Sequence, residues 1–148
     1  MNNPYPYSND NKRYQTINYY FRNKYHQKVA KIPLNAGFTC PNRDGLKGTG
    51  GCTFCSSMGS GDSLLCFDDS LQKQYQEGLK RMQNKWPDCI GFAYFQSYSN
   101  TYAPLFILKK IYDPFFKDPN MPGVAIATRA DCLNDEIIDY LNSQNKEV

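Results

Sequence analysis

At 148 residues, with 41% hydrophobic and 15% aromatic content, the chain has the length and apolar matter of one globular domain and not the composition of a disordered polymer. Its opening stretch, MNNPYPYSND, holds no apolar run that could serve as a secretory signal, and no later run is long enough to span a bilayer, so a cytoplasmic protein without a membrane partner is expected. The net charge of +3 is unevenly placed, since Lys12, Arg13, Arg22, Lys24, Lys28, Lys31, Arg43 and Lys47 in residues 1–60 face only Asp10 and Asp44.

Residues 1–28 read as a basic, tyrosine-rich N-terminal segment (Tyr5, Tyr7, Tyr14, Tyr19, Tyr20, Tyr25). Such a segment can grip RNA by phosphate contacts and base stacking. A solvated face whose tyrosines pack on the domain is the alternative. His26, the only histidine, sits among charged neighbours and reads as a surface residue rather than a metal ligand.

Residues 29–148 read as an α/β domain. Val29 to Leu34 (VAKIPL) predicts a short strand, and residues 35–62 a long loop rich in Gly, Cys, Thr and Ser, of the kind that carries function. A helix is predicted from Asp69, which can cap it with Gln72 three residues on, with Leu71, Tyr75, Leu79 and Met82 on its apolar face and Trp86-Pro87 as its end. Ile90 to Gln96 (IGFAYFQ) is a near-continuous apolar run, as expected for a strand covered on both faces. After the polar turn SYSNTY, Pro104 opens a helix through Leu105, Leu108, Ile111 and Tyr112 that Asp113-Pro114 is expected to interrupt. Gly123 to Thr128 (GVAIAT) predicts a third buried strand, and Asn134 caps a last helix with Ile137, Ile138 and Leu141 turned inward.

Three strand-then-helix units in succession imply parallel strands joined by crossovers, in the order one, two, three, with an open edge beside Val124 to Ala127. Ligands in such sheets gather at the C-terminal ends of the strands. The cysteine-rich loop, Gln96 to Thr101, and Thr128 to Asp131 all fall on that rim.

The six cysteines are not expected to pair as disulfides in a reducing compartment. Eleven residues separate Cys40 from Cys52 and two separate Cys52 from Cys55, so a close pair and a looped-back third thiolate can converge on one metal centre. Glycines 45, 48, 50 and 51 let the backbone wrap such a centre. Zinc with Cys66 as a fourth ligand is the competitor, in a zinc-binding, RNA-interacting module without catalysis. Structural zinc sites commonly use two close pairs, whereas Cys66 and Cys89 stand alone and, like Cys132, read as buried small hydrophobes.

The stretches KIPLNAGFTCPNRDGLKGTGGCTFCSSMGSGD, FAYFQSYSNTYAPL and IATRADCL resemble the bacterial radical S-adenosylmethionine (SAM) proteins related to the catalytic subunit of Elongator. The resemblance runs from about Tyr14 to Leu141 and implies a partial TIM-type (β/α) barrel, about three βα units of a core that usually has six. It implies that Cys40, Cys52 and Cys55 hold a [4Fe–4S] cluster whose fourth iron takes the amino and carboxylate groups of SAM. It further implies a 5′-deoxyadenosyl radical as the reactive species, an electron donor such as a flavodoxin or ferredoxin, and the wobble uridine of tRNA as leading substrate, with a small metabolite as the other candidate.

Phe54 matches the aromatic position near the adenine, its alternative being a core aromatic in a tight turn. The usual Gly-Gly-Glu that meets the SAM ammonium is replaced by Gln96 to Thr101, where Gln96, Ser97, Asn100 and Thr101 offer acceptors. Arg129 and Asp131 match a Thr-Arg-Pro-Asp motif with Ala130 in place of proline. Arg129 then either pairs with a ligand carboxylate or forms a salt bridge to Asp131.

Overall fold

The computed structural model describes residues 5, 6, 8, 11–57, 59 and 70–145. Along them run α1 (Ile17–Tyr25), β1 (Val29–Leu34), α2 (Leu71–Lys85), β2 (Ile90–Phe95), α3 (Leu105–Phe116), β3 (Val124–Ile126), a 3-10 turn (Ala130–Cys132) and α4 (Asp135–Asn145). The strands pair in parallel in the order β1-β2-β3, with Val29 opposite Ile90 and Ala93 opposite Val124. The strand order is the expected one, and β3 lies at an edge of the sheet.

One face of the sheet carries the core. Ala30, Ile32 and Leu34 of β1 and Gly91, Ala93 and Phe95 of β2 are buried there against α2 and α3. The Phe95 ring lies 4.7 Å from that of Tyr112 and 5.2 Å from that of Phe115, both edge-on. Helix α2 approaches closely because Gly78 and Gly91 lack side chains: a Cβ at either would come within 2.7 Å of Ile32. The opposite face is less covered than the apolar run of β2 implied. Lys31 is exposed with its Nζ 4.3 Å from the Tyr94 ring centre, and Phe92 is half-buried. Period-two burial was hidden because β2 places aromatic residues on both faces.

Helix α1 was not anticipated in the basic segment. Thr16 caps it by accepting from the Tyr19 N–H (3.1 Å), and His26 ends it in a left-handed conformation (φ 58°), its N–H on the Arg22 carbonyl. Phe21 packs on Phe92 at 5.5 Å and the Tyr25 hydroxyl donates to the Pro122 carbonyl (2.6 Å), so tertiary contacts hold a helix too short to persist alone.

Four local expectations are corrected. Asp69 lies outside the described residues, and Ser70 is the cap of α2, accepting from the Lys73 N–H. Pro114 does not interrupt α3, which continues to Phe116. An internal proline costs roughly 3 kcal/mol, whereas burying a phenylalanine contributes about 1.5–3 kcal/mol, and Phe115 and Phe116 both join the core here. The third strand is confined to Val124–Ile126 and is half-buried rather than buried, as suits an edge. In α4 Ile137 and Tyr140 are buried and Leu141 packs against the core as expected, while Ile138 is exposed and lines an apolar groove of about 870 Å³ shared with Ile17, Phe92 and Val124.

Candidate metal and cofactor site

The three strand exits meet at one rim, joined by backbone bonds that continue the sheet's pairing. The Gln96 N–H donates to the Leu34 carbonyl (3.0 Å), Ser99 N–H to Thr39 (3.2 Å) and Asn100 N–H to Ala127 (2.9 Å). Asn100 is fully buried, and its Nδ2 donates to the carbonyls of Ser97 (2.7 Å) and Ala127 (3.1 Å). Both amide protons are therefore engaged, which fixes Oδ1 as the atom pointing the other way. The Thr101 hydroxyl donates to the Cys132 carbonyl (2.6 Å) and meets the Thr128 hydroxyl. The Tyr112 hydroxyl donates to the Asn100 carbonyl from the core below.

Cys40 is buried at the start of the loop that follows β1. Its Sγ lies 3.6 Å from the Ser99 hydroxyl and 3.8 Å from Arg129 Nη1. Burial pushes the thiol up, but the Asn42 backbone N–H, the Ser99 hydroxyl and the positive charge and N–H of Arg129 outweigh it, so the thiol is held below its ordinary value. Cys89 and Cys132 are shifted the other way, above the ordinary value, chiefly by burial. The direction of the shift sets Cys40 apart from Cys89 and Cys132, which are buried as small hydrophobes.

The loop from Cys40 to Cys55 folds on itself. Arg43 N–H donates to the Cys40 carbonyl, Gly51 N–H to Asn42 and Cys55 N–H to Cys52. Gly51 has φ +76°, a left-handed turn, and a Cβ there would meet the Arg43 guanidinium at 3.0 Å. Asn42 Nδ2 donates to Cys52 Sγ at 3.3 Å. Cys40, Cys52, Cys55, Cys89 and Cys132 are all free thiols. Among the described residues no three His, Cys, Asp or Glu side chains are gathered as a metal-holding group, and Cys66 lies outside them.

The remaining predicted residues divide. Phe54 is 90% exposed, so it is not a core aromatic. Gln96 is half-buried, Ser97, Asn100 and Thr101 are buried, and the hydroxyl of Thr101 is already engaged. Ser97 Oγ and Asn100 Oδ1 are buried without a hydrogen-bond partner among the described residues. Arg129 forms the salt bridge to Asp131 that was one of its two readings, with Nε and Nη2 each 2.8 Å from the carboxylate. Ser99 and Asn42, which both donate toward cysteine sulfur, were not among the predicted site residues. Their only sequence signal is position, inside Ser-Tyr-Ser-Asn and Cys-Pro-Asn.

No family model and no solved structure matches this chain. Among curated proteins it is similar to the uncharacterized protein YtqA of Bacillus subtilis (strain 168), with 46% identity over 146 residues, which is 99% of this chain and 45% of the relative. Protein YhcC of Escherichia coli (strain K12) is 36% identical over 119 residues, covering 80% of this chain and 37% of its own length. The uncharacterized protein MJ0486 of Methanocaldococcus jannaschii is 34% identical over 128 residues, covering 82% and 37%. The chain therefore spans less than half the length of the curated relatives it matches.

Proposed function

We propose that this chain carries the [4Fe–4S]- and SAM-binding part of a radical SAM enzyme, built as a partial TIM-type barrel, with Cys40, Cys52 and Cys55 as the cluster ligands. The observation that carries the reading is that one rim holds both Cys40, whose thiol is kept below its ordinary value by Asn42, Ser99 and Arg129, and the turn bearing two buried polar atoms, Ser97 Oγ and Asn100 Oδ1, that lack a partner among the described residues. A buried acceptor left unpaired costs roughly 1–3 kcal/mol. An ammonium donor at that position would remove the cost.

The donors have the chemistry of such a cluster, although the three sulfurs are not gathered as one group in this structure. Thiolates are its usual ligands, and Asn42, Ser99 and Arg129 direct N–H and O–H groups at two of the sulfurs. When bound, the cluster with SAM supplies one-electron cleavage of a sulfonium bond and a carbon radical that abstracts hydrogen. This chain's residues then have separate tasks. Cys40 presents a sulfur already met by the Ser99 hydroxyl and Arg129, Asn100 holds its carbonyl oxygen fixed by committing both amide protons, and the exposed Phe54 ring offers a face to a heteroaromatic base.

By resemblance, the same proposal extends to a cytoplasmic setting, reduction by a flavodoxin or ferredoxin, and a tRNA wobble uridine as substrate. For tRNA the support is the cluster of Arg22 and Lys24 in the last turn of α1.

The test is anaerobic reconstitution with iron and sulfide, followed by iron and acid-labile sulfide analysis. Replacing Cys40, Cys52 or Cys55 by Ala is expected to abolish cluster assembly, whereas Cys66→Ala, Cys89→Ala and Cys132→Ala retain it. One tightly bound zinc per chain, with equal loss at Cys66, would instead identify the zinc-binding module.

A further inference from the structure

The loop between Cys40 and Cys52 is tied to the third strand by a carboxylate that the cofactor reading does not use. Arg129 sets Nε against Asp131 Oδ1 and Nη2 against Oδ2, both at 2.8 Å. This fork-to-fork pairing fixes the guanidinium plane and leaves Nη1 aimed at Cys40 Sγ, 3.8 Å away. The same carboxylate accepts from Lys47 Nζ, at the far side of the loop and 84 residues away in the chain. The loop's own backbone bonds, such as Lys47 N–H to the Pro41 carbonyl (2.7 Å) and Gly51 N–H to Asn42 (2.9 Å), close it on itself. Lys47 carries it across to the exit of β3.

We propose that Asp131 is a positioning residue: it clasps Lys47 and aims Arg129 at Cys40, so that the cysteine loop is held in register with the third strand before any cofactor binds. An isolated surface ion pair is worth little, and the side chains here are only about one-third to one-half exposed. Bidentate geometry and a shared carboxylate are the conditions under which such pairs do contribute. The carboxyl is held well below the usual carboxylate range, first by the Arg129 hydrogen bonds and then by Lys47, so it stays ionised throughout the working range. The consequence for a bound cluster rests on the radical SAM reading. The clasp itself rests on the geometry alone.

The experiment compares the 148-residue chain with Asp131→Asn, Asp131→Glu and Lys47→Met by hydrogen exchange of the apo protein, then by release of iron to a chelator after reconstitution. Asp131→Asn and Lys47→Met are expected to speed exchange at the amides of Arg43, Lys47 and Gly51 roughly five-fold while leaving β1 and β2 unchanged. In reconstituted protein they should speed iron loss about 10-fold, with Asp131→Glu close to the parent. Lys47 is exposed, so Lys47→Met reports on the clasp even if Asp131→Asn perturbs folding. Exchange in both variants equal to the parent overturns the clasp. Faster exchange combined with failure of the parent to assemble a cluster supports the clasp and overturns the radical SAM reading.

Discussion

Gly59 has φ +70° just beyond Cys55, and a Cβ added there would sit 2.6 Å from Ser97 Cβ and 2.9 Å from a Tyr98 ring carbon. The end of the cysteine loop can therefore approach the turn after β2 only where no side chain intervenes. Strain of about 1–2 kcal/mol for a left-handed L-residue adds to the overpacking. Gly59→Ala is expected to destabilise the protein by about 2–4 kcal/mol in urea unfolding. Gly50, in the same loop, has open space around its Cβ direction, and Gly50→Ala should stay within about 0.5 kcal/mol of the parent. Equal effects at the two positions would show that close approach at Gly59 is not what limits the loop. The cysteine spacing was readable at this scale because it is local. The fate of Thr101 was not, since the carbonyl that engages its hydroxyl lies 31 residues on, at Cys132.

Among the elements, α1 bears most on partners. Its tyrosines are not equivalent: Tyr25 is tied to Pro122 and Tyr19 to the Pro6 carbonyl, whereas Tyr14 and Tyr20 are 62% and 43% exposed. Packing and exposed aromatic surface thus coexist on one helix and its approach. If the segment grips RNA, neutralising Lys12, Arg13, Arg22 and Lys24 together should lower the salt dependence of tRNA binding by roughly one unit per lost phosphate contact. Filter-binding isotherms across a salt series read that slope. A slope that the fourfold variant leaves unchanged would remove these side chains from any tRNA interface. The first two strands were legible almost to the residue, because apolar runs bounded by polar breaks are written locally, whereas the third is half its expected length because it lies at an edge. Helix α1 was not legible, because its sequence is polar and its support comes from Phe92 and Pro122.

At the scale of the whole molecule, the two C-terminal helices are joined across the core by the Tyr140 hydroxyl, which donates to Asp113 Oδ1 (2.7 Å), while Lys117 pairs with Oδ2 (3.0 Å). Burial raises the Asp113 carboxyl, but the Tyr140 hydroxyl and the charges of Lys117 and Lys109 prevail and hold it below its ordinary value. A depressed folded value means that the carboxylate's stabilisation is present above the unfolded pKa of about 3.9 and is lost as pH falls through the folded value. Thermal melts from pH 7 to pH 3 should therefore show Asp113→Asn less stable than the parent at neutrality and the gap closing below about pH 4. A gap that holds constant to pH 3 would mean that charge at Asp113 does not contribute.

Three βα units and their parallel order were determined by sequence alone, since hydrophobic period and helix punctuation are properties of neighbouring residues, and the spacing that nominates Cys40, Cys52 and Cys55 is local in the same way. The course of α3 past Pro114 was decided by the core, where Phe115 and Phe116 outweigh one missing N–H. The surroundings of Cys40 were decided only by tertiary structure: Ser99 and Arg129 reach its sulfur from 59 and 89 residues away, and Lys47 meets Asp131 across 84. No local pattern encodes such pairs, because they exist only where parallel strands bring their C-terminal ends to one rim.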